Sequence, residues 1–367
     1  MSYTNGLDNP ELYFQVKIYT GTGSSQAHTF DGAYGNMQPD FLWFKRRNSA
    51  GGNMITDSIR GVTKTIITNE NGAEQTFSNG LTAFDSDGFT LGSEDGFNKA
   101  SDTFVSWNWS AGGSASSNSN GSITSSVSAN TTAGFSIVSY ASGQSGAFSI
   151  GHGLSSAPKM FIAKSRDQGH SWGFYYTVRG TNTNWMTLDT TDAQGNNSAD
   201  PDANGIAAGG AGHTGVFAIL NSSTISIGPT AYANSGTSAI GYCFVEVKGY
   251  SKFGTFTGNQ NTDGTFIYTG FKQAWVMFKE ATGSATGDNW FMYDNKRSTF
   301  NQTQKYLRAN LSNDEQDNSA GAIDMLSNGF KIRTSDTSLN DNGETYVFMA
   351  FAESPFVNSN GVPNNAR

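Results

Sequence analysis

The chain has 367 residues, a formal net charge of -8 and a single cysteine, Cys243. An acidic chain is poorly suited to neutralise phosphates, so nucleic acid is not an expected partner, and one cysteine excludes an internal disulfide framework. No apolar run reaches the roughly 18 residues of a membrane-spanning helix, so we expect no membrane span. Forty-four glycines, 13% aromatic residues and only 14% charged residues favour short strands and tight turns, which predicts an all-β protein.

One sequence pattern occurs three times along the chain. In each copy an extended segment, a turn rich in small and polar residues and a second segment lead to an apolar run that ends in lysine. The copies cover 14–45, 135–164 and 244–279, and they end at Lys45, Lys164 and Lys279. Three copies of one design predict three tandem antiparallel β-sandwich or jelly-roll domains.

The predicted boundaries follow from this repeat and from changes in composition. A polar arm covers 1–12, a polar tail covers 357–367, and the sandwiches are predicted at 13–111, 135–248 and 249–356. Residues 112–134 are almost entirely Gly, Ser, Asn, Thr and Ala, a composition that buries too little apolar surface to order itself. We therefore predict a linker there, with ordering against a neighbouring unit as the alternative. The second and third sandwiches follow each other directly and are expected to be rigidly coupled.

The first unit closes with a strand at 103–111. In it the large residues Val105, Trp107 and Trp109 alternate with Ser106 and Asn108. Because successive side chains of a strand point to opposite faces, this alternation predicts an antiparallel strand that is buried on one face only.

Several residues coincide when the three copies are aligned. They are Trp107, Tyr242 and Met349 in the closing strands, the arginines Arg60, Arg179 and Arg297, and the tryptophans Trp172 and Trp290. Residues kept in register across internal copies serve the shared fold, so we predict packing and structural roles for all of them, with receptor contact by the arginines as the alternative. Asp57 and Asp294 stand three residues before the first and third arginines, which predicts carboxylate–guanidinium pairs, whereas the second unit has Tyr176 there.

The sequence contains no spacing typical of catalytic or metal-binding residues. The four histidines lie in small and polar surroundings without a paired histidine. The run Asp85-Ser86-Asp87-Gly88 starts like a calcium loop but does not continue as one, so it favours a hairpin turn. We predict no catalytic residues, no metal site and no cofactor.

A ligand-binding role is weighed for a single tryptophan. Trp185 is the tryptophan that the repeat explains least, so it is the candidate ligand-binding residue. Its ring could stack on a sugar ring, and a position in the core is the alternative. A polysaccharide depolymerase is an alternative function, but it needs two carboxylates roughly 5 to 9.5 Å apart across a cleft. Acidic residues here fall mainly in turns, which favours a protein that is not an enzyme.

Three blocks of sequence together resemble a virion protein of marine tailed bacteriophages, including those of cyanobacteria. The blocks are GLDNPELYF at 6–14, MQPDFLWFKRR to VSWNWSAG at 37–112, and VEVKGYSKFGTFTGN with VFMAFAESPFVNSNGVPNNAR at 245–367. The resemblance implies lectin-like β-sandwich modules in a tail-fibre or host-attachment component of the virion. Other virion proteins and host surface glycans are then the expected partners, and decoration of the capsid surface is the alternative.

We also expect a homo-oligomer, with a trimer as the expected state. Phage attachment proteins are symmetric assemblies whose weak contacts add through multivalency. The polar arm 1–12 and the tail 358–367 have little apolar surface to bury locally and would hold such a trimer, with simple disorder of both as the alternative.

Overall fold

The computed structural model describes residues 7–32, 35–142, 147–179, 184–194, 218–228, 237–283 and 288–365. Within these ranges the chain consists of antiparallel strands, with short helical turns at Pro10–Leu12, Asp95–Asn98, Ser319–Gly321 and Thr337–Asn340. The prediction of an all-β protein is confirmed. A helix long and apolar enough to cross a bilayer does not occur in the described part of the chain.

The first unit is a pair of antiparallel sheets. Its strands are β1 (Phe14–Thr20), β2 (Gln26–Thr29), β3 (Phe41–Arg46), β4 (Asn53–Asp57), β5 (Lys64–Ile67), β6 (Gln75–Thr76), β7 (Leu81–Asp85), β8 (Gly88–Leu91) and β9 (Thr103–Trp109). The larger sheet has the strand order β1-β9-β3-β4-β5-β6, and the smaller sheet has the order β2-β8-β7.

The second unit has the same two-sheet plan. Its strands are β10 (Ser116–Asn118), β11 (Ser125–Asn130), β12 (Phe135–Ser142), β13 (Phe148–Gly151), β14 (Met160–Ser165), β15 (Gly173–Tyr176), β16 (Asn184–Thr187), β17 (Ala218–Leu220), β18 (Thr224–Ile227) and β19 (Thr237–Phe244). The larger sheet has the order β10-β11-β12-β19-β14-β15-β16, and the smaller sheet has the order β13-β18-β17.

The third unit completes the series. Its strands are β20 (Ser251–Thr257), β21 (Phe266–Tyr268), β22 (Phe271–Glu280), β23 (Phe291–Asp294), β24 (Lys305–Arg308), β25 (Gln316–Asp317), β26 (Ile323–Met325), β27 (Gly329–Ile332) and β28 (Thr345–Pro355). The orders are β20-β28-β22-β23-β24-β25 and β21-β27-β26. Apart from the added edge strands, the three units therefore share one strand order in each kind of sheet.

The linker expected at 112–134 contains two strands instead. β11 pairs along its whole length with β12, and β10 pairs with β11, so both extend the larger sheet of the second unit. Hydrogen bonds to an existing sheet edge order the segment, and Val127 adds a small apolar anchor that is buried in the core of that unit. Composition alone underestimates order where a neighbouring strand supplies the backbone partners.

Each larger sheet packs on both of its faces. One face meets the smaller sheet of the same unit, as where the rings of Phe44 on β3 and Phe89 on β8 lie 5.3 Å apart. The opposite face meets the other two larger sheets in one common core, where the ring of Trp109 lies 5.6 Å from that of Trp275. The three units are thus sandwiches that share a central core, and each depends on its neighbours to cover half of its larger sheet.

The closing strand of the first unit corrects the expectation of one buried face. Ser106 and Asn108 on β9 are fully buried together with the large residues that alternate with them. The Asn108 side-chain amide donates to the carbonyl oxygens of Gln15 and Ser106 at 3.0 and 3.1 Å, so its N–H groups keep partners after burial.

The described parts of the terminal arms lie on their own chain. Leu7 packs against the common core, and the Asp8 carboxylate accepts a 2.9 Å hydrogen bond from the backbone N–H of Ser359. Val357 and Pro363 form a β-bridge within the tail. The two arms therefore meet each other on the surface of one chain.

Candidate functional site

The three units close into a ring through one buried lysine from each. Lys45 Nζ donates to the carbonyl oxygen of Leu311 at 3.0 Å, Lys164 Nζ to that of Asn71 at 3.2 Å, and Lys279 Nζ to that of Thr190 at 3.0 Å. The first unit thus reaches the third, the second reaches the first, and the third reaches the second. Burial lowers the pKa of Lys45 and Lys279 to about 7 and that of Lys164 to about 8.

A second set of hydrogen bonds follows the same rotation. Trp172 Nε1 donates to the carbonyl oxygen of Ile67 at 3.0 Å, and Trp290 Nε1 donates to that of Thr187 at 2.9 Å. Asn53 occupies the same position in the first unit, and its Nδ2 donates to the carbonyl oxygen of Arg308 at 3.2 Å. The sequence alignment showed only the two tryptophans, because an asparagine performs the same task in the first unit.

The aligned closing-strand residues lie in the common core at the centre of the ring. Trp107 and Tyr242 lie opposite Trp43 and Ile162, and Met349 lies opposite Met277, at matching places in the three sheets. Trp107 Nε1 donates to Asp294 Oδ2 at 3.0 Å, and the Tyr242 hydroxyl donates to Asp57 Oδ2 at 2.8 Å. In the remaining copy the corresponding residues are Met349 and Tyr176, both in the common core.

Two of the aligned arginines form the same buried ion pair. Arg60 Nε lies 2.5 Å from Asp57 Oδ2, and Arg297 Nε lies 2.5 Å from Asp294 Oδ2, with all four side chains fully buried. Each aspartate also accepts hydrogen bonds from the backbone N–H of its arginine, at 2.9 and 2.8 Å. These contacts fix the turn after β4 and after β23.

Two of the three junctions between units are closed by a further glutamate between two arginines. Glu74 binds Arg60 of its own unit at 3.4 Å and Arg166 of the second unit at 2.9 Å. Glu315 binds Arg297 of its own unit at 3.2 Å and Arg47 of the first unit at 2.9 Å. With the aspartates, each closed junction contains two arginines and two carboxylates, so its formal charges cancel.

The junction between the second and third units has the same backbone but different side chains. Gln194 donates its backbone N–H to the carbonyl oxygen of Ala281 at 2.9 Å, as Glu74 does to Arg166 and Glu315 does to Arg47. Four equivalent positions there hold Tyr176, Arg179, Gln194 and Ala281. Two carboxylates and one arginine are therefore missing, and Arg179 is the charge that remains.

A cavity of about 400 Å³ lies at this open junction. Its lining includes Arg179, Asp192, Gln194, Ala281 and Thr282. Gln194 Oε1 accepts hydrogen bonds from Arg179 Nη1 at 2.6 Å and from the Tyr176 hydroxyl at 2.9 Å. The amide thus holds the guanidinium in place without neutralising it.

The comparisons with known proteins concern the whole ring. A family profile described as "Domain of unknown function (DUF7483)" matches residues 9–355, which includes all three units. The chain belongs to the DUF7483 family. Neither the curated proteins nor the solved structures contain a match.

Trp185 of this DUF7483 chain is half-buried. It lies on β16 opposite Tyr175 of β15 and packs against the core between the two sheets of the second unit, which is separate from the common core. That placement matches the alternative of a core position more closely than a sugar-binding platform. Trp185 packs against a different core cluster from the common core that contains the aligned residues Trp107, Trp172, Tyr242, Trp290 and Met349.

His28 packs among aromatic rings, and the acidic run from Asp85 to Gly88 forms a turn. The His28 ring lies 4.3 Å from the Tyr19 ring and 5.0 Å from the Phe89 ring, and burial, with the charge of Lys17, lowers its pKa to about 4. The run from Asp85 to Gly88 is the turn between β7 and β8, as the hairpin prediction had it. Among the described residues no group of three or more His, Cys, Asp or Glu side chains is placed to hold a metal ion.

An exposed aromatic pair on β21 was not found from the sequence. Phe266 and Tyr268 are 44% and 60% exposed, and they lie on the same face of that strand because they are two residues apart. Lys331, paired across from Phe266, forms an ion pair of 2.6 Å with Asp263 beside them. Burial is what distinguishes this pair from core aromatics, and the sequence pattern did not carry that information.

Proposed function

We propose that this chain is a non-enzymatic structural protein of a tailed-bacteriophage virion, most directly a tail-fibre or host-attachment component. The observation that carries the proposal is the ring of three sandwiches around one core. The buried lysines and the arginines of the two closed junctions hold neighbouring units together, so these charged groups stabilise the structure. The sequence blocks that resemble a phage virion protein support the placement of this ring in a virion.

Mass spectrometry of purified virions, followed by cryo-electron microscopy of the same particles, tests this proposal. We expect the chain in stoichiometric amount in the virion and its three-unit ring in the density of the tail or its fibres. A protein found only in the lysate of infected cells, in no fixed ratio to the major capsid protein, would refute the proposal.

Decoration of the capsid surface is the second candidate, and the pseudo-threefold ring favours it. A body with three similar faces is suited to a position where three subunits meet, because it can present a similar surface to each of them. The same cryo-electron microscopy map separates the two candidates. Density on the head at threefold or local threefold positions would support decoration and contradict a role in the tail.

The exposed pair Phe266 and Tyr268 is the surface that we propose for contact with host glycans. Exposed aromatic faces next to charged groups offer stacking and hydrogen bonding to a sugar at once. Replacing both residues by serine should weaken binding of the protein to host cells. The matched control is Phe300→Ser, which removes a 78% exposed aromatic ring elsewhere, and equal loss in both proteins would contradict a specific role for β21.

The proposal assigns no catalytic step to the chain. Incubation of purified protein with host envelope polysaccharide should release no reducing ends. Turnover that is lost on changing a single aspartate or glutamate would replace the structural proposal with a depolymerase.

A homotrimer of the whole chain also belongs to the proposal. Its motivation is now multivalency alone, since the described parts of the two arms contact their own chain. Light scattering on the intact chain, well above micromolar concentration, should give three times the monomer mass. A monomer under those conditions would reject self-association.

A further inference from the structure

The repeat provides an internal reference for the charge at the open junction. At both closed junctions the four equivalent positions contain two arginines and two carboxylates, and their formal charges cancel. At the open junction the same positions contain one arginine, one tyrosine, one glutamine and one alanine. The formal charge there is +1, and it belongs to Arg179.

The shape of the open junction follows from the same substitutions. Arg47 and Arg166 extend from their strands to reach the glutamate of the neighbouring unit at 2.9 Å. Ala281 stands at their position and lacks the side chain that would fill this space. The resulting cavity of about 400 Å³ is within the range of roughly 300 to 1,000 Å³ that small-molecule sites show.

Asp192, an acid in the lining, lies near a different basic group. Burial lowers the pKa of Lys279, whereas the charge of Asp192, with those of Asp288, Asp189 and Glu280, raises it. Asp192 Oδ2 also accepts a 2.8 Å hydrogen bond from Thr190 Oγ1. No ion pair joins Asp192 to Arg179 in the described part of the chain.

We propose that the cavity between the second and third units binds an acidic sugar, with the sugar carboxylate on the guanidinium of Arg179. The carboxylate supplies the negative charge that Gln194 lacks in comparison with Glu74 and Glu315, and guanidinium groups bind carboxylates by charge-assisted hydrogen bonds. Asp192, Gln194 and Thr282 supply acceptors and donors for ring hydroxyls. The choice of a sugar rests on the proposed function, host attachment, whereas the choice of a carboxylate rests on the junction itself.

Titration calorimetry with sodium glucuronate on the full chain tests the site. We expect one site per chain with a dissociation constant of about 1 mM, as is usual for a single small ligand. Glucose, which lacks the carboxylate, should not bind measurably, and acetate, which lacks the hydroxyls, should bind more weakly than glucuronate. Absence of glucuronate binding up to about 50 mM, or equal binding of glucose, would overturn the proposal.

Two variants locate the binding, and one serves as a control. Arg179→Met should weaken glucuronate binding by about 10- to 100-fold, the range expected on removing a charge-assisted hydrogen bond. Gln194→Glu combined with Ala281→Arg restores the glutamate between two arginines and fills the space beside position 281 with a side chain, so it should abolish binding even if Arg179→Met does not fold. Arg333→Met removes a partly exposed arginine directly after β27 in the third unit and should leave binding unchanged. Unaltered binding by either of the first two folded variants would overturn the assignment.

The outcome is separable from that of the proposed function. A virion protein that does not bind glucuronate would reject the site alone. A protein that binds glucuronate through Arg179 but is absent from virions would keep the site and reject the proposed function.

Discussion

The substitution Asp294→Ala tests whether the buried ion pairs hold the ring together. The Asp294 carboxylate accepts hydrogen bonds from Arg297 Nε at 2.5 Å, from the Arg297 backbone N–H at 2.8 Å and from Trp107 Nε1 at 3.0 Å. Trp107 belongs to the first unit and Asp294 to the third. One carboxylate therefore satisfies a turn, a buried cation and a contact between units.

The expected loss can be estimated from these contacts. Both side chains of the Asp294–Arg297 pair are fully buried, so removal of the aspartate leaves an unpaired charge in the interior, apart from the contact of Arg297 with Glu315. Breaking a buried pair in this way costs about 3 to 5 kcal/mol. That is a large part of the roughly 5 to 15 kcal/mol by which domains are usually stable.

Urea unfolding followed by tryptophan fluorescence measures this loss. We expect the free energy of unfolding of Asp294→Ala to fall by about 4 kcal/mol, and that of the equivalent Asp57→Ala to fall by a similar amount. The control is Asp317→Ala, which removes a 57% exposed partner that lies 4.0 Å from Lys305, and its effect should stay below about 0.5 kcal/mol. A loss below about 1 kcal/mol for Asp294→Ala would refute the reasoning.

Three further predictions concern titration and coupling at the junctions. Burial lowers the pKa of Lys45 in the folded chain to about 7 from its ordinary 10.5, so between pH 7 and pH 10.5 the unfolded chain keeps a proton that the folded chain has lost, and the free energy of unfolding rises with pH. Lys45→Met should therefore reduce the slope of the free energy of unfolding against pH by about 1.4 kcal/mol per pH unit in this range. An unchanged slope would contradict this prediction. Burial raises the pKa of Glu280 in the folded chain to about 8 from 4.5, so the protonated carboxyl adds to the free energy of unfolding below pH 4.5, and this addition is lost as pH rises through 8. Glu280→Gln should flatten this fall of the free energy of unfolding with pH, measured by urea unfolding at several pH values. A steeper fall in the variant would be evidence against the prediction. Ala281→Arg alone adds a second cation beside Arg179 and should destabilise the chain. Adding Gln194→Glu should recover the lost stability, with a coupling energy of about 1 to 3 kcal/mol between the two substitutions in a double-mutant cycle. Additive effects of the two substitutions would show that the junctions are not equivalent.

The repeat was readable from the sequence because strand faces impose a period of two. Trp107, Tyr242 and Met349 could be aligned from the apolar residues around them, and their strands lie at matching places in the three sheets. The pairs of Asp57 with Arg60 and of Asp294 with Arg297 were predicted from a spacing of three residues, and both are present. Local spacing was sufficient there because each pair closes a single turn.

The ring itself could not be predicted, since its contacts join residues far apart in the sequence. Lys45 and Leu311 are separated by 266 positions, and nothing in either stretch identifies the other. A trace of the open junction was nevertheless visible, because Tyr176 stood where the other units have aspartate. That Gln194 and Ala281 also distinguish the open junction from the closed ones became visible only when the structure showed that both residues line a cavity with Arg179.

Differential scanning calorimetry of the whole chain tests the central claim that three sandwiches form one body around a common core. The account predicts a single transition whose calorimetric enthalpy equals its van't Hoff enthalpy, and a shift of that whole transition to lower temperature in Asp294→Ala. Two or three separate transitions, of which Asp294→Ala moved only one, would show that the units unfold independently and would contradict the shared core.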